Sequence, residues 1–169
     1  MSNFEFYNGI QGNKESTANG IFREKVTLAF KNIPFFFRPM MQNFNIASEL
    51  NFASPDFSGG LNSKLDFATT AKRHFYDSKK LNFIHVDEIG KTENESVDRR
   101  NEVIKKCIAP GATIRGLMIC TSTVDDMEMS SAKDFMRLTK ASHFENRGPN
   151  GQTKSGLINL YWGIDESYE

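Results

Sequence analysis

The sequence predicts an α/β domain: a mostly parallel sheet flanked by helices, with one antiparallel hairpin added. Three observations carry this. The apolar run "LNFIHV" (81–86) is followed by a helical stretch from about 96 to 108, the stop "APG", and a second apolar run, "TIRGLMIC" (113–120). Strand, helical crossover and strand form a βαβ unit, and a connection this long and this helical makes its two strands parallel. Upstream, "SELNFAS" and "SKLDFATT" each alternate apolar with polar residues on either side of the turn cluster "PDFSGG", which predicts an antiparallel pair.

The remaining elements come in chain order. After the short apolar start "FEFYNGIQGN", Ala18, Phe22, Val26, Ala29 and Ile33 recur at spacings of three and four, one face of a helix that Pro34 ends. The segment "PFFFRPMMQNFNI" is too rich in proline and phenylalanine for a regular element, and its three consecutive phenylalanines are expected to be packed rather than displayed. In the crossover helix Val97, Ile104, Cys107 and Ile108 give an apolar side, while "DRRNE" and "KK" are expected to stay solvated. A further helix is predicted over about 130–142, then the loop "ENRGPNGQTKSG" and a last strand, "LINLYWGI".

A chain of 169 residues fits one domain with a real core. Basic and acidic residues balance at 21 each, so any contact with nucleic acid must come from local patches rather than a global field. Cys107 and Cys120 match neither a C-x-x-C pair nor a zinc spacing, and read as reduced, small apolar residues of an intracellular protein. No apolar run approaches the ~18 residues of a membrane span, and "MSNFEFYNG" has no basic region leading into an apolar core. His74, His85 and His143 lack ligand spacing, and His85 is expected to be a hydrogen-bonded core residue. Tyr161 and Trp162 read as packing residues before base-stacking ones.

The chemistry-bearing stretch is "FIHVDEIGK". Side chains at the ends of parallel strands face the crevice where ligands bind, and here the strand ends in Asp87 and Glu88. The partner strand ends in Thr121, Ser122 and Thr123, so carboxylates and hydroxyls emerge on one edge. A carboxylate suits Mg²⁺, a second can orient or deprotonate water, and hydroxyls can sit near a γ-phosphate. A hydrophobic strand followed by Asp-Glu is the Walker B pattern of P-loop ATPases.

Together with "GIQGNKESTANGIF", "IPFFFRP", "SKLDFATTAKRHFYDSKKLNFIHVDEIGK", "GLMICTSTV" and "NGQTKSGLINLYW", this stretch resembles the large terminase subunit of tailed bacteriophages, the DNA-packaging motor. The likeness is to the ATPase domain, runs along essentially the whole chain, and is greatest to terminases of phages infecting Bacteroides-like hosts. It implies a P-loop NTPase-like fold over residues 1–169, with ATP and Mg²⁺ as cofactors. Asp87 would coordinate the metal, Glu88 would be the catalytic carboxylate, and Thr121, Ser122 and Thr123 would form the motif coupling hydrolysis to DNA movement. Implied partners are double-stranded DNA, the portal protein and the small terminase subunit, with a homo-oligomeric ring in the full-length protein and no membrane. The implied location is the host cytoplasm, at the procapsid portal. Lys72 and Arg73 are cations upstream of the acidic strand, expected to be solvated before they are expected to touch phosphate.

The sequence also departs from that family. No G-x-x-x-x-G-K-[ST] string occurs; in "GIQGNKES" Lys14 is not preceded by glycine and is followed by the acid Glu15. This stretch reads as the strand and helix that follow the phosphate loop in the family. The family's nuclease domain, with its metal-binding aspartates, would come after the last strand. The expectation is therefore the middle of a packaging ATPase, turning over little or no ATP by itself. A non-enzymatic interaction module and a helicase-like motor are the competing readings.

Overall fold

The computed structural model describes residues 5–42, 49–54, 56, 58–69, 75–92, 96–109, 111, 113–123 and 130–160. Its strands are β1 (Tyr7–Gly12), β2 (Glu49–Ala53), β3 (Gly60–Thr69), β4 (Phe83–Val86) and β5 (Leu117–Cys120). They form one mixed sheet in the order β2-β3-β1-β4-β5. β1 is parallel to β3 and β4, and β4 to β5, whereas β2 pairs antiparallel with β3. The fold is thus α/β with a mostly parallel sheet flanked by helices, and both the hairpin and the βαβ unit form as the alternation and crossover require.

The first helix runs through α1 (Glu15–Gly20), a π-helical stretch (Ile21–Thr27) and α2 (Leu28–Asn32). Ala18 and Phe22 are fully buried, but Ala29 is exposed, against the expected face. A π turn carries an extra residue and rotates the turns C-terminal to it, so Val26 and Phe30 continue the packed stripe. Phe22 meets Phe67 and Phe30 meets Phe52, at ring-centroid separations of 5.2 and 5.8 Å. The helix stops at Asn32, and Ile33, which precedes Pro34, is extended (φ −62°, ψ 132°), since the proline ring disfavours α geometry there.

The next three phenylalanines are displayed, not packed. Phe35, Phe36 and Phe37 are 82%, 67% and 72% exposed on a short 3-10 turn. The turn is held from within: Phe37 N donates to Pro34 O, and the Arg38 guanidinium donates to the carbonyls of Ile33 and Lys31 at 2.7 and 2.6 Å. With its backbone satisfied locally, this turn presents its rings to solvent.

On the other face of the sheet lie α3 (Val97–Ile108) and α4 (Ser130–Ala141). Ser96 caps α3, its Oγ accepting from Arg99 N at 3.2 Å. Val97, Ile104, Cys107 and Ile108 pack with Ile84, Val86, Met118 and Leu138 in the larger core. Arg100 and Asn101 are buried rather than solvated. They fall three and four residues after Val97 and so share its face; the Arg100 Nε donates to Gln11 Oε1 at 2.9 Å, with Asp77 Oδ1 at 3.5 Å from Nη1. Of the expected last strand, residues 157–160 are irregular. Asn159 N donates to Ser142 O, tying the segment to the end of α4 instead of to a sheet neighbour. Residues 161–164 of that strand, with Tyr161 and Trp162, lie outside the described residues.

At the amino end of β1 a buried carboxylate is saturated with donors. Asp66, 3% exposed, accepts from the hydroxyls of Tyr7 at 2.6 Å and Tyr76 at 2.9 Å. The Lys79 ammonium donates to Tyr7 Oη at 2.7 Å and lies over the Phe75 ring, 3.8 Å from its centroid. Burial, reinforced by Asp66, pushes both tyrosine hydroxyls far above their ordinary range.

Candidate functional site at the carboxyl edge of the sheet

At the opposite end, β4 and β5 deliver the sequence-predicted residues to one place. Their parallel register pairs Val86 with Cys120, so the two turns after them leave the sheet side by side. The backbone then staples them: Asp87 N donates to Gln11 O at 2.7 Å, Thr121 N to Val86 O at 2.9 Å, and Ile89 N to Thr121 O at 3.1 Å. Asp87 is fixed against both neighbours of its strand.

The side chains complete the pairing. Thr121 Oγ1 donates to Asp87 Oδ1 at 2.7 Å, and Thr123 Oγ1 lies 3.3 and 3.4 Å from the two Glu88 oxygens. Ser122 serves the backbone instead, its Oγ accepting from Gly90 N at 3.1 Å. Glu88 adopts a left-handed conformation (φ 54°, ψ 41°) that non-glycine residues rarely take, and it opens the 3-10 turn Ile89–Lys91. Its carboxylate is bridged by the Lys91 ammonium at 2.9 Å. Gly90 sits where a side chain would not fit: an added Cβ would lie 2.8 Å from Ser122 Oγ and 3.1 Å from the Phe135 ring.

Two participants were not expected from the sequence. His85 is half-buried, and its Nε2 is 2.9 Å from Thr121 Oγ1, so it serves the site edge rather than the core. Strand alternation puts residues 85 and 87 on one side, a signal that was available. Lys91 stands three residues after Glu88, one turn on. Burial pushes the Cys120 thiol up to about 12, which leaves it an inert apolar residue beside the site. Lys72, Arg73 and His74 lie outside the described residues.

The acids are hard oxygen donors, and among the described residues no three His, Cys, Asp or Glu side chains gather into a metal cage. That donor set suits Mg²⁺, which commonly takes one or two carboxylates and completes its shell with water and phosphate oxygen.

The sheet is unevenly covered around this edge. Leu117 and Ile119, which alternate with the core residue Met118, are 58% and 43% exposed, and β5 is the last strand of the described sheet. Among the described residues, no helix is long and apolar enough to cross a membrane. Compared with models of protein families and with curated proteins, the chain matches none.

Proposed function

We propose that this chain is the central part of the ATPase domain of a phage large terminase subunit, a P-loop-like motor that packages double-stranded DNA by ATP hydrolysis. The observation that carries this reading is the paired edge: Asp87 against Thr121 and Glu88 against Thr123, on adjacent parallel strands. Asp87 would hold Mg²⁺, and the ion would supply neutralisation of the phosphate charge. Glu88, aimed by Lys91 and Thr123, orients and deprotonates the attacking water. Because Thr121 and Thr123 each touch one of the acids, β5 can sense a change at the acids and pass it on, as a coupling strand must.

The uncovered flank supports an incomplete ATPase unit. Parallel strands are ordinarily covered on both faces, yet Leu117 and Ile119 are exposed beside an edge that no other described strand pairs. A further strand there, followed by a glycine-rich loop and helix, would set backbone N–H groups next to Asp87 and give the phosphates the cradle that no string in this sequence provides.

The test is Mg²⁺-dependent ATP hydrolysis, together with sequencing of the source DNA across both ends of the reading frame. The expected result is negligible turnover by this chain, and an in-frame segment with a G-K-[ST] loop whose addition gives hydrolysis abolished by Glu88→Gln. Robust hydrolysis by this chain that survives Glu88→Gln overturns the assignment. A non-enzymatic interaction module is favoured by a different observation, the rigid display of Phe35, Phe36 and Phe37. It is the reading to adopt if no such segment exists.

A further inference from the structure

We infer that His85 is a positioning residue: through Thr121 it fixes the direction in which the Asp87 carboxylate is hydrogen-bonded, and thereby sets the cation affinity of Asp87. The inference rests on the proposed role of Asp87 as the cation-holding acid and adds to it a residue with no part in that proposal.

Proton counting fixes the direction of these hydrogen bonds. A threonine hydroxyl has a single proton. The Asp87 carboxylate has none to give, so in the 2.7 Å contact Thr121 Oγ1 is the donor and its proton is spent on Asp87 Oδ1. In the 2.9 Å contact with His85 the same oxygen can therefore only accept. His85 Nε2 must carry a hydrogen, and the chain runs Nε2–H to Thr121 Oγ1–H to Asp87 Oδ1. A His85 with a bare Nε2 would set its lone pair against that of the Thr121 oxygen and compete with Asp87 Oδ1 for the single hydroxyl proton, loosening the chain. All three residues stand on adjacent, registered strand ends, with His85 paired to Ile119 and Thr121 N bonded to Val86 O. The geometry is thus set by the sheet and by the backbone bonds of the two residues that directly follow its strands. Groups that hold a metal ligand in orientation typically change metal affinity by about 10- to 100-fold when removed.

The experiment uses the whole chain, ¹⁵N-labelled, titrated with Mg²⁺ alone and followed at the backbone amides of Asp87, Glu88 and Thr121. His85→Leu, which removes the donor, is expected to weaken Mg²⁺ binding about tenfold. His85→Gln, whose amide N–H₂ reaches the position of Nε2, is expected to stay within about threefold of wild type. Long-range ¹H–¹⁵N spectra of the imidazole are expected to report the Nε2–H form in the native chain. Asp87→Asn is expected to abolish the response. A His85→Leu chain that keeps its amide dispersion and binds Mg²⁺ like wild type, while Asp87→Asn does not bind, overturns the role of His85 and leaves Asp87 standing. If Asp87→Asn binds as well as wild type, the reading of Asp87 itself fails. Equal weakening by His85→Leu and His85→Gln would assign the effect to packing and also overturns the inference.

Discussion

Two aspartates, one inside the sheet and one at its carboxyl edge, live under opposite rules. Asp66, on β3 opposite Gly9, is buried and accepts from two tyrosine hydroxyls, with the Lys64 ammonium 3.7 Å away. Asp87, at the carboxyl end of β4, accepts from one threonine at the surface, beside a second acid. A buried carboxylate costs several kcal/mol unless its lone pairs are filled, so Asp66 is committed to holding β1, β3 and the Tyr76 turn together. Asp87 is only half-buried, and among the described residues its side chain accepts from Thr121 at the surface, where a ligand can reach it. The same side chain is structural inside the sheet and available for chemistry at its carboxyl edge.

The strongest way to break that contrast is to remove each acid in turn. Asp66→Ala is expected to cost about 3 kcal/mol or more, because the buried Tyr76 hydroxyl and the half-buried Tyr7 hydroxyl lose a charged acceptor. Asp87→Ala should stay within about 0.5 kcal/mol, as surface substitutions do. Urea unfolding midpoints measure both. Similar costs at the two positions would mean that the carboxyl edge is part of the folding framework. Gly9→Ala is a second probe of the same cluster, since its Cβ would lie 2.7 to 2.9 Å from the Tyr76 ring and hydroxyl. It should destabilise nearly as much as Asp66→Ala.

Alkaline pH gives the next largest effect. Both tyrosine pKa values are raised in the folded chain, first by burial and then by Asp66. Their contribution is therefore complete below the ordinary tyrosine value of about 10 and is lost as pH rises beyond it, where only the unfolded chain releases the protons. The buried Tyr76 should remove up to about 1.4 kcal/mol per pH unit in that window, and the half-exposed Tyr7 less, because solvent screens it. The fall between pH 10 and 11 should be shallower in Tyr76→Phe than in wild type. An unchanged slope would show that the hydroxyl of Tyr76 titrates freely, and the sealed picture of Asp66 would be lost.

A middling effect is expected at Gly90, on the other side of the comparison. Gly90→Ala crowds Ser122 Oγ and the Phe135 ring, and should cost about 1–2 kcal/mol while shifting the amides of Asp87 and Thr121. If stability falls with no change at those amides, the turn is not what seats the acids.

Much of this contrast was legible in the chain. That Asp87 and Glu88 share an edge with Thr121, Ser122 and Thr123 followed from one crossover helix and two apolar runs, because parallel strands bring their ends together; which hydroxyl meets which acid did not. The hairpin followed from alternation in Leu50, Phe52, Leu65 and Phe67. What escaped depended on partners far away in sequence. Asp66 reads as one polar position of an alternating strand, and its tyrosines come from 59 and 10 residues away. Arg100 reads as part of a charge run, although its helical position puts it inside. Phe35, Phe36 and Phe37 read as core, since hydrophobicity states a preference for burial and not whether the rest of the chain supplies a cover.

The smallest effect separates strain from bonding at Glu88. Its left-handed backbone is a conformation that asparagine tolerates and a β-branched residue resists. Glu88→Asn removes the Lys91 bridge, a partly exposed pair worth at most about 1 kcal/mol, but relieves a backbone cost of about the same size. The two should cancel, leaving stability within about 0.5 kcal/mol of wild type. Glu88→Val loses the bridge and keeps the strain, so it should fall below Glu88→Asn by about 1 kcal/mol. Equal stabilities would place the turn in ordinary backbone space. The expected gap would mean that the fold holds an acid, against its backbone preference, where asparagine would sit more easily, which is how a position behaves when its carboxylate is kept for chemistry.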